Sequence, residues 1–494
     1  MRQQNPLERW ATLGNIILIG GGVFCTLVLL YFFYCYAVGG QRQFTSPIAA
    51  VPYYYIPAAL ATLLFAALQF ERSQKINLAI LCMSFAVSIY AAELFLAFTD
   101  TASLPSRPLW ADDVKKRKYE IRNLAKSFGV EFDTRSKLEV ISDLREKGIH
   151  AVPSIAPRSL LMKQEDGIMR SVLNIEGNEV LPLGGISNRV TVFCNETGEY
   201  AIYNSDEHGF HNPKGIWRSD HVSIVALGDS FTAGGCVSSD KGFVALIRKR
   251  YPGTLNLGMA GEGPLMMLAA LKEFGPSIKP KAVLWFYYEE SDINSLQEED
   301  QSRLLTRYLG NDFSQNLLNH QVDIDQALLK YVERAMIKER AKEKQEVAGG
   351  TAISPKLMGI AKLSTLRQKS GLVLGTQNTE NTSSAISELE LLQRILSQAK
   401  ATIAGWGGTL YFVYLPAWHR YGNPELAGQT GVRYHDRVLS LVKSIGIPIV
   451  DVHPTFQARS DPLSLFSFRR FGHYNEQGHR VVAEEVLRVI STKN

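Results

Sequence analysis

The sequence predicts an α/β domain built on a parallel sheet, carried behind a membrane anchor of three apolar helices. Two observations lead there. Apolar runs crowd the chain up to Phe98, and from about Val190 short apolar strands alternate with helical segments. Parallel strands need crossover connections, and helices that serve as crossovers cover both faces of the sheet. At 494 residues the chain is long enough for about three structural units.

The anchor comes first. Leu13–Tyr36, Pro47–Phe70 and Ile76–Phe98 each approach or pass the ~20 residues a helix needs to cross the hydrocarbon core. A cleaved signal peptide fits poorly, because the first run is too long and two more follow. Tyr31, Tyr34, Tyr36 and Tyr53 to Tyr55 stand at run ends, where interfacial aromatics belong. Gly20, Gly21 and Gly22 allow close helix contact. Arg2 and Arg9 precede the first span, Arg72 and Lys75 lie in the second loop, and the first loop holds only Arg42. That bias puts the N-terminus inside and everything beyond Phe98 outside. Lys115, Lys116, Arg117 and Lys118 oppose it, at the edge of the ~15–20 residues over which the rule counts. The expectation is a multi-pass protein of the cell membrane with an extracytoplasmic C-terminal domain, periplasmic or on the outer face. Glu93, inside the third run, is expected to reach the interface or pair with a neighbouring helix.

Of five cysteines, Cys25, Cys35 and Cys82 fall in the spans as small apolar packers. Cys194 and Cys236 lie beyond them, where an oxidising compartment would permit a disulfide. No Cys-x-x-Cys or His-rich pattern points to a metal. A net charge of +5 on this length gives no ground for a nucleic-acid partner.

After a polar linker, Thr99–Pro108, the segments Asp112–Phe128 and Ser136–Lys147 read as charged helices. Residues 100–189 are a connecting region with no visible chemistry. Val190–Cys194 and Ala201–Tyr203 form a hairpin around Asn195-Glu196-Thr197-Gly198. The sheet strands are Val222–Leu227, Thr254–Leu257, Ala282–Tyr288, Thr409–Leu415 and Ile447–Val450. Helices are expected near Gly242–Tyr251, Pro264–Phe274, Tyr434–Ser444 and Glu476–Ile490. Residues 297–403 break the alternation and read as a helical insertion, with an exposed loop at Asn378–Ser384.

Three segments carry chemistry: Gly228-Asp229-Ser230-Phe231-Thr232 after one strand, Asn256-Leu257-Gly258-Met259-Ala260-Gly261-Glu262-Gly263-Pro264 after the next, and Gly472-His473-Tyr474-Asn475-Glu476-Gln477-Gly478-His479 before the last helix. Gly-Asp-Ser alone serves equally well as a helix cap. In an open α/β sheet, however, the carboxyl ends of adjacent strands converge on one crevice, where these segments can meet.

The arrangement resembles the SGNH (GDSL-like) hydrolases, esterases and acyl-processing enzymes with a flavodoxin-like three-layer fold. The likeness runs from about Val190 to the C-terminus, and the longer phrases are similar to those of membrane-anchored bacterial members linked to envelope or exported polysaccharide. It implies Ser230 as nucleophile, His473 as general base and then acid, and an oxyanion hole from the N–H groups of Ser230 and Gly258. It implies no cofactor and no metal. Two positions depart from the family pattern. Ser291 stands where an asparagine side chain completes the oxyanion hole, with Asn294 as a displaced substitute. Arg470 and Phe471 stand where an aspartate precedes the histidine, which leaves Asp461, Asp451 or a backbone carbonyl to orient the imidazole. Asn475 is expected to cap the final helix and His479 to lie on its surface. Trp418, His419 and Arg420 are expected either to rim a sugar site or to pack their loop. The resemblance implies metal-independent hydrolysis of acyl esters, O-acetyl groups on a polysaccharide foremost. Acetyl transfer by the same serine and histidine, or a weakened domain that scaffolds polysaccharide assembly, are the alternatives.

Overall fold

The structure is a computed structural model that describes residues 6–37, 54–99, 114–164, 166–218, 222–347, 382–423 and 431–491. The linker residues 100–108, residues 47–53 of the second expected span, and residues 378–381 of the expected loop lie outside them. The chain divides into two compact units, one of Met1–Ser103 with Thr351–Gln377 and one of Leu104–Gly350 with Asn378–Asn494.

The N-terminal unit contains helices Pro6–Ala37, Ile56–Ala66 and Arg72–Thr99. Two stretches are long and apolar enough to cross a membrane, Trp10–Tyr31 with mean hydropathy 2.2 and Arg72–Glu93 with 1.7. The second expected span is not among them, because its described part is an 11-residue helix that tightens into a 3₁₀ turn at Ala67–Gln69. Gly22 does bring two helices close: a Cβ there would sit 2.8 Å from the Phe65 ring. Ile16, Phe24, Leu27, Phe85 and Val87 face outward, and Glu93 is buried.

The larger unit is organised by five parallel strands: β1 (Ile224–Leu227), β2 (Thr254–Asn256), β3 (Ala282–Tyr288), β4 (Thr409–Leu415) and β5 (Ile449–Asp451). Their order across the sheet is β5-β4-β3-β1-β2. Read from the other edge, 2-1-3-4-5 is the flavodoxin-like order. The chain leaves β1 for β2 on one side and crosses back to β3 on the other. A crevice therefore opens beyond the carboxyl ends of β1 and β3.

Five helices cover the sheet: α1 (Phe243–Arg250), α2 (Pro264–Ile278), α3 (Thr382–Ala404), α4 (His435–Ser444) and α5 (Glu476–Ser491). Successive strand residues point to opposite faces. Val225, Leu227, Trp285, Tyr287, Phe412 and Tyr414 join the core shared with α2, α3 and α4. Ile224, Ala226, Leu284, Phe286, Val413 and Leu415 join the other, with Phe243 and Ile247 of α1 and Val482 and Val486 of α5. The result is three layers, helix–sheet–helix.

Two expectations about segment limits change. Helix α3 starts at Thr382, inside the expected exposed loop, and buries Leu392, Ile395, Leu396, Ala399 and Ile403. It is the crossover between β3 and β4, so the added helical material stops short of it; the described part includes helix Gln321–Val347. The connecting region also belongs to the domain. Ala151–Pro153 pairs in parallel with Val190–Val192, which pairs antiparallel with Ile202–Asn204. A three-residue strand is too short to leave a period in the sequence. The hairpin tip is tied onward by a Cys194–Cys236 disulfide spanning 42 residues. Closing a loop of that length removes about 4 kcal/mol of unfolded-chain freedom in the entropic account.

Glu289, immediately after β3, is fully buried yet satisfied. It accepts from Tyr414 Oη (2.7 Å), Ala417 N (2.6 Å), and Arg420 Nε (3.1 Å) and Nη2 (2.5 Å). This cluster fixes the exits of β3 and β4 beside the crevice. Removing one partner of such a pair strands the other charge. Glu289→Ala is expected to lower unfolding free energy by about 3–5 kcal/mol, read as a shift in the denaturant midpoint of the full-length protein. A loss under about 1 kcal/mol would mean Arg420 finds another partner.

Candidate active site

β1 ends at Leu227, and the chain turns sharply through Gly228-Asp229-Ser230. Asp229 Oδ1 accepts the Phe231 N–H at 3.0 Å, the side chain acting as its own turn clamp. Ala233 N donates to Asp229 O and Gly235 N to Ser230 O, at 3.0 and 2.8 Å. Ser230 is thus raised on a closed turn at the crevice. No acceptor holds its own N–H among the described residues. Asn256, at the end of β2, ties this turn to the sheet. Its Nδ2 donates to Thr232 O at 2.8 Å, and its N–H donates to Asn212 Oδ1 at 2.8 Å. Asn212 in turn donates to Asp206, whose carboxylate also takes the Trp217 indole N–H at 2.7 Å. The loop rests on a buried polar network in which each member has a partner.

His473 arrives from the C-terminal side, three residues before α5. Its Nε2 lies 2.8 Å from Ser230 Oγ. Its Nδ1 lies 3.0 Å from Glu196 Oε1, while its backbone N–H donates to Glu196 Oε2 at 2.7 Å. A carboxylate only accepts, so the proton belongs on Nδ1 and Nε2 is left to accept from Ser230. Two glycines make room. A Cβ on Gly235 would stand 2.6 Å from the His473 ring, and one on Gly472 (φ +153°) 2.5 Å from Glu196 Oε2.

The electrostatics follow from this contact. Burial pushes Glu196 up, but the charge of His473 and its two hydrogen bonds outweigh burial and hold the carboxyl below its usual range. Burial pushes His473 down, and the Glu196 carboxylate, with a smaller push from Asp229, more than reverses that. Burial pushes Asp229 up to about 6, against the opposing pull of its backbone hydrogen bonds and the His473 charge.

The other expected residues fall as follows. The Gly258 N–H is engaged by Asn256 Oδ1 at 2.9 Å, so it does not stand free for an oxyanion. The Ser291 hydroxyl donates to Asp292 Oδ1 at 3.2 Å. Asn294 is an exposed helix residue bonded to Glu290 O. Neither aspartate considered for the imidazole reaches it: Asp461 pairs with Arg469 at 2.6 Å and Asp451 with His435 at 3.1 Å. Asn475 caps α5 through the N–H groups of Gln477 and Gly478. His479 is not on the surface. It is fully buried, accepts the Phe243 N–H at 3.2 Å, and is pushed down to about 3 by burial, which keeps it neutral. Trp418 is buried and bonded to Arg469 O, and Arg420 holds Glu289, so these residues pack their loop.

Glu196 is the residue sequence reasoning missed. It lies 277 positions before His473, in the tip of the hairpin. The single sequence signal was indirect: Cys194 precedes it by two positions, and a disulfide to Cys236 would carry it to the nucleophile loop.

The ion pair makes a titration prediction. His473 sits above the ordinary 6.5, so its contribution to stability is complete below 6.5 and fades as pH rises through the raised value. Glu196 sits below the ordinary 4.5, so its contribution is present above 4.5 and fades as pH falls through the depressed value. Between these limits the pair is intact. In Glu196→Gln the His473 midpoint, followed by NMR of histidine-labelled protein, is expected to move to lower pH. An unchanged midpoint would mean that another charge holds the imidazole.

No protein-family model matches the sequence, and no curated protein matches it. Among solved structures, the chain is similar to a member of the lipolytic protein G-D-S-L family from Veillonella parvula, at 11% identity and TM-score 0.28, covering 55% of this chain and 98% of that one. It is similar to a lipase/acylhydrolase from Enterococcus faecalis at 12% identity and TM-score 0.30, covering 55% and 96%. A catalytic mutant of an acetylxylan esterase from Geobacillus stearothermophilus matches at 13% identity and TM-score 0.30, covering 54% and 93%.

Proposed function

We propose that this chain is a membrane-anchored serine ester hydrolase that removes acyl groups, O-acetyl groups of an envelope or exported polysaccharide foremost. The observation that carries the chemistry is the continuous contact from Ser230 Oγ to His473 Nε2 (2.8 Å) and from Nδ1 to Glu196 (3.0 Å). Ser230 Oγ attacks the ester carbonyl carbon while its proton passes to Nε2. The tetrahedral intermediate collapses as Nε2 returns that proton to the departing alcohol, leaving an acyl-serine. Water then repeats the sequence and releases the carboxylic acid. Glu196 keeps Nδ1 protonated and balances the imidazolium, which makes it a positioning residue.

The Ser230 N–H is the donor ready for the oxyanion, and one well-placed donor of this kind is worth about 3 kcal/mol. A second donor from Gly258 requires that the substrate oxygen take the place of Asn256 Oδ1, which holds that N–H in the free protein. No step calls for a metal or cofactor.

Two long apolar helices and a disulfide support an anchored domain in an oxidising compartment outside the cytoplasm. The polysaccharide part of the proposal rests on the likeness of Asn256–Pro264 and Phe471–His479 to envelope-linked proteins. The scaffold alternative drew its support from Ser291 in place of an asparagine and from Arg470 in place of the acid before His473; Glu196 supplies that acid from elsewhere, which supports the hydrolase on the second point.

The test is hydrolysis of p-nitrophenyl acetate by the detergent-solubilised full-length protein. Ser230→Ala and His473→Ala are each expected to lower kcat/KM by a factor of about 10³ or more, and a fluorophosphonate probe is expected to label Ser230. No labelling, with all three proteins equally slow, would reject the hydrolase. Acetyl transfer to an added oligosaccharide faster than to water would assign the same machinery to a transferase.

A further inference from the structure

The hairpin whose tip carries Glu196 belongs to a small sheet separate from the one that leads into Ser230. The hairpin strands meet the Ser230 loop through apolar packing of Phe193, Ala201 and Tyr203 with Ala233, and its tip is joined to the loop by a more specific link. Cys194, two residues before Glu196, is bonded to Cys236, six residues after Ser230, with their Cα atoms 4.9 Å apart. The buried Cys236 sulfur lies 3.5 Å from His473 Nδ1, beside the atom Glu196 holds. Thr197 donates its hydroxyl proton to Cys236 O at 3.0 Å, one neutral bond alongside the covalent one. From the far side, Asp133 grips the same turn: its O accepts Asn195 Nδ2 at 3.0 Å and its N–H donates to Gly198 O at 2.7 Å. That segment belongs to the connecting region, so it orders the turn without joining it to the nucleophile loop.

We propose that the Cys194–Cys236 disulfide is a positioning element of this site, fastening the Glu196 turn to the nucleophile loop, and that opening it with a dithiol slackens the Glu196–His473 contact and slows turnover. This rests on the hydrolase reading given above. The step balances: the dithiol attacks one sulfur, its second thiol resolves the mixed disulfide, and two electrons with two protons leave the protein with two thiols and the reagent with a cyclic disulfide. The freed Cys236 thiol then stands beside Nδ1 and competes with the carboxylate for it. Where the slackened carboxylate withdraws, the neutral thiol does not replace its charge, and the imidazole loses the larger of the two influences that raise it, Asp229 keeping the lesser.

The experiment uses full-length protein in detergent with dithiothreitol. EDTA is present, because Glu196, Cys236 and His473 have donor atoms within 4.8 Å of one another in the disulfide-bonded protein, and reduction would free the Cys236 sulfur for a metal. Reduction is expected to lower kcat/KM for p-nitrophenyl acetate about tenfold or more and to move its acid limb to lower pH. Cys194→Ser combined with Cys236→Ser is expected to show both changes without reductant and to ignore it. Glu196→Ala is expected not to respond to reductant, since no side chain is left there to hold Nδ1. A reduced protein that keeps its rate and its acid limb overturns the proposal, and so does an equal loss in Glu196→Ala. A second readout needs no turnover: the pH midpoint for diethyl pyrocarbonate modification of His473, followed by mass spectrometry. It falls on reduction if the disulfide positions Glu196, and an unchanged midpoint overturns the proposal. If Ser230→Ala hydrolyses as well as the natural protein, the hydrolase reading fails, and this midpoint still decides the disulfide's role.

Discussion

The two-point hold of Glu196 on His473 is the contact on which the rest of the site depends. One carboxylate oxygen fixes the imidazole tautomer at Nδ1 and the other fixes the backbone that carries the ring. Both bonds end on one carboxylate shielded from water, one from the imidazole and one from a backbone amide, and hydrogen bonds to an ionised acceptor are the strong ones. With the ring held at two points, the reach of Nε2 to Ser230 is set by backbone geometry. Much around it serves that hold: Gly472 and Gly235 by the absence of a side chain, Asn256 by anchoring the nucleophile turn.

The sheet was legible because its strands are buried on both faces and read as unbroken apolar runs, as Ala282–Tyr288 and Thr409–Leu415 do. Ser230 and His473 were legible because each sits at a strand or helix boundary with a recognisable phrase around it. Glu196 was not. Its neighbours in sequence are an ordinary hairpin turn, and its partner lies 277 positions away, so only a tertiary contact brings them together. Arg470, read as a gap before the histidine, marks a place where the acid enters from a different direction. His479 was misjudged for a related reason. A histidine in a helix's first turns is commonly wet, but here its ring is enclosed by α1 and α5 and spent on the Phe243 N–H.

The N-terminal part shows what length and hydropathy can and cannot decide. Two runs became single helices long enough to span, whereas the described part of the middle run is a short helix that tightens before Phe70. In the larger unit, α3 was absorbed into an expected insertion because a charged helix precedes it in the sequence. Its own apolar positions recur at helical spacing and face the sheet.

The most direct test is a crystal structure of the protein inactivated by a diethyl phosphoryl ester. The account predicts phosphorus bonded to Ser230 Oγ, a phosphoryl oxygen within hydrogen-bond reach of the Ser230 N–H, and Glu196 still bridging Nδ1 and the backbone N–H of His473. Phosphorus on another residue, or Glu196 turned away from an ordered His473, would contradict it.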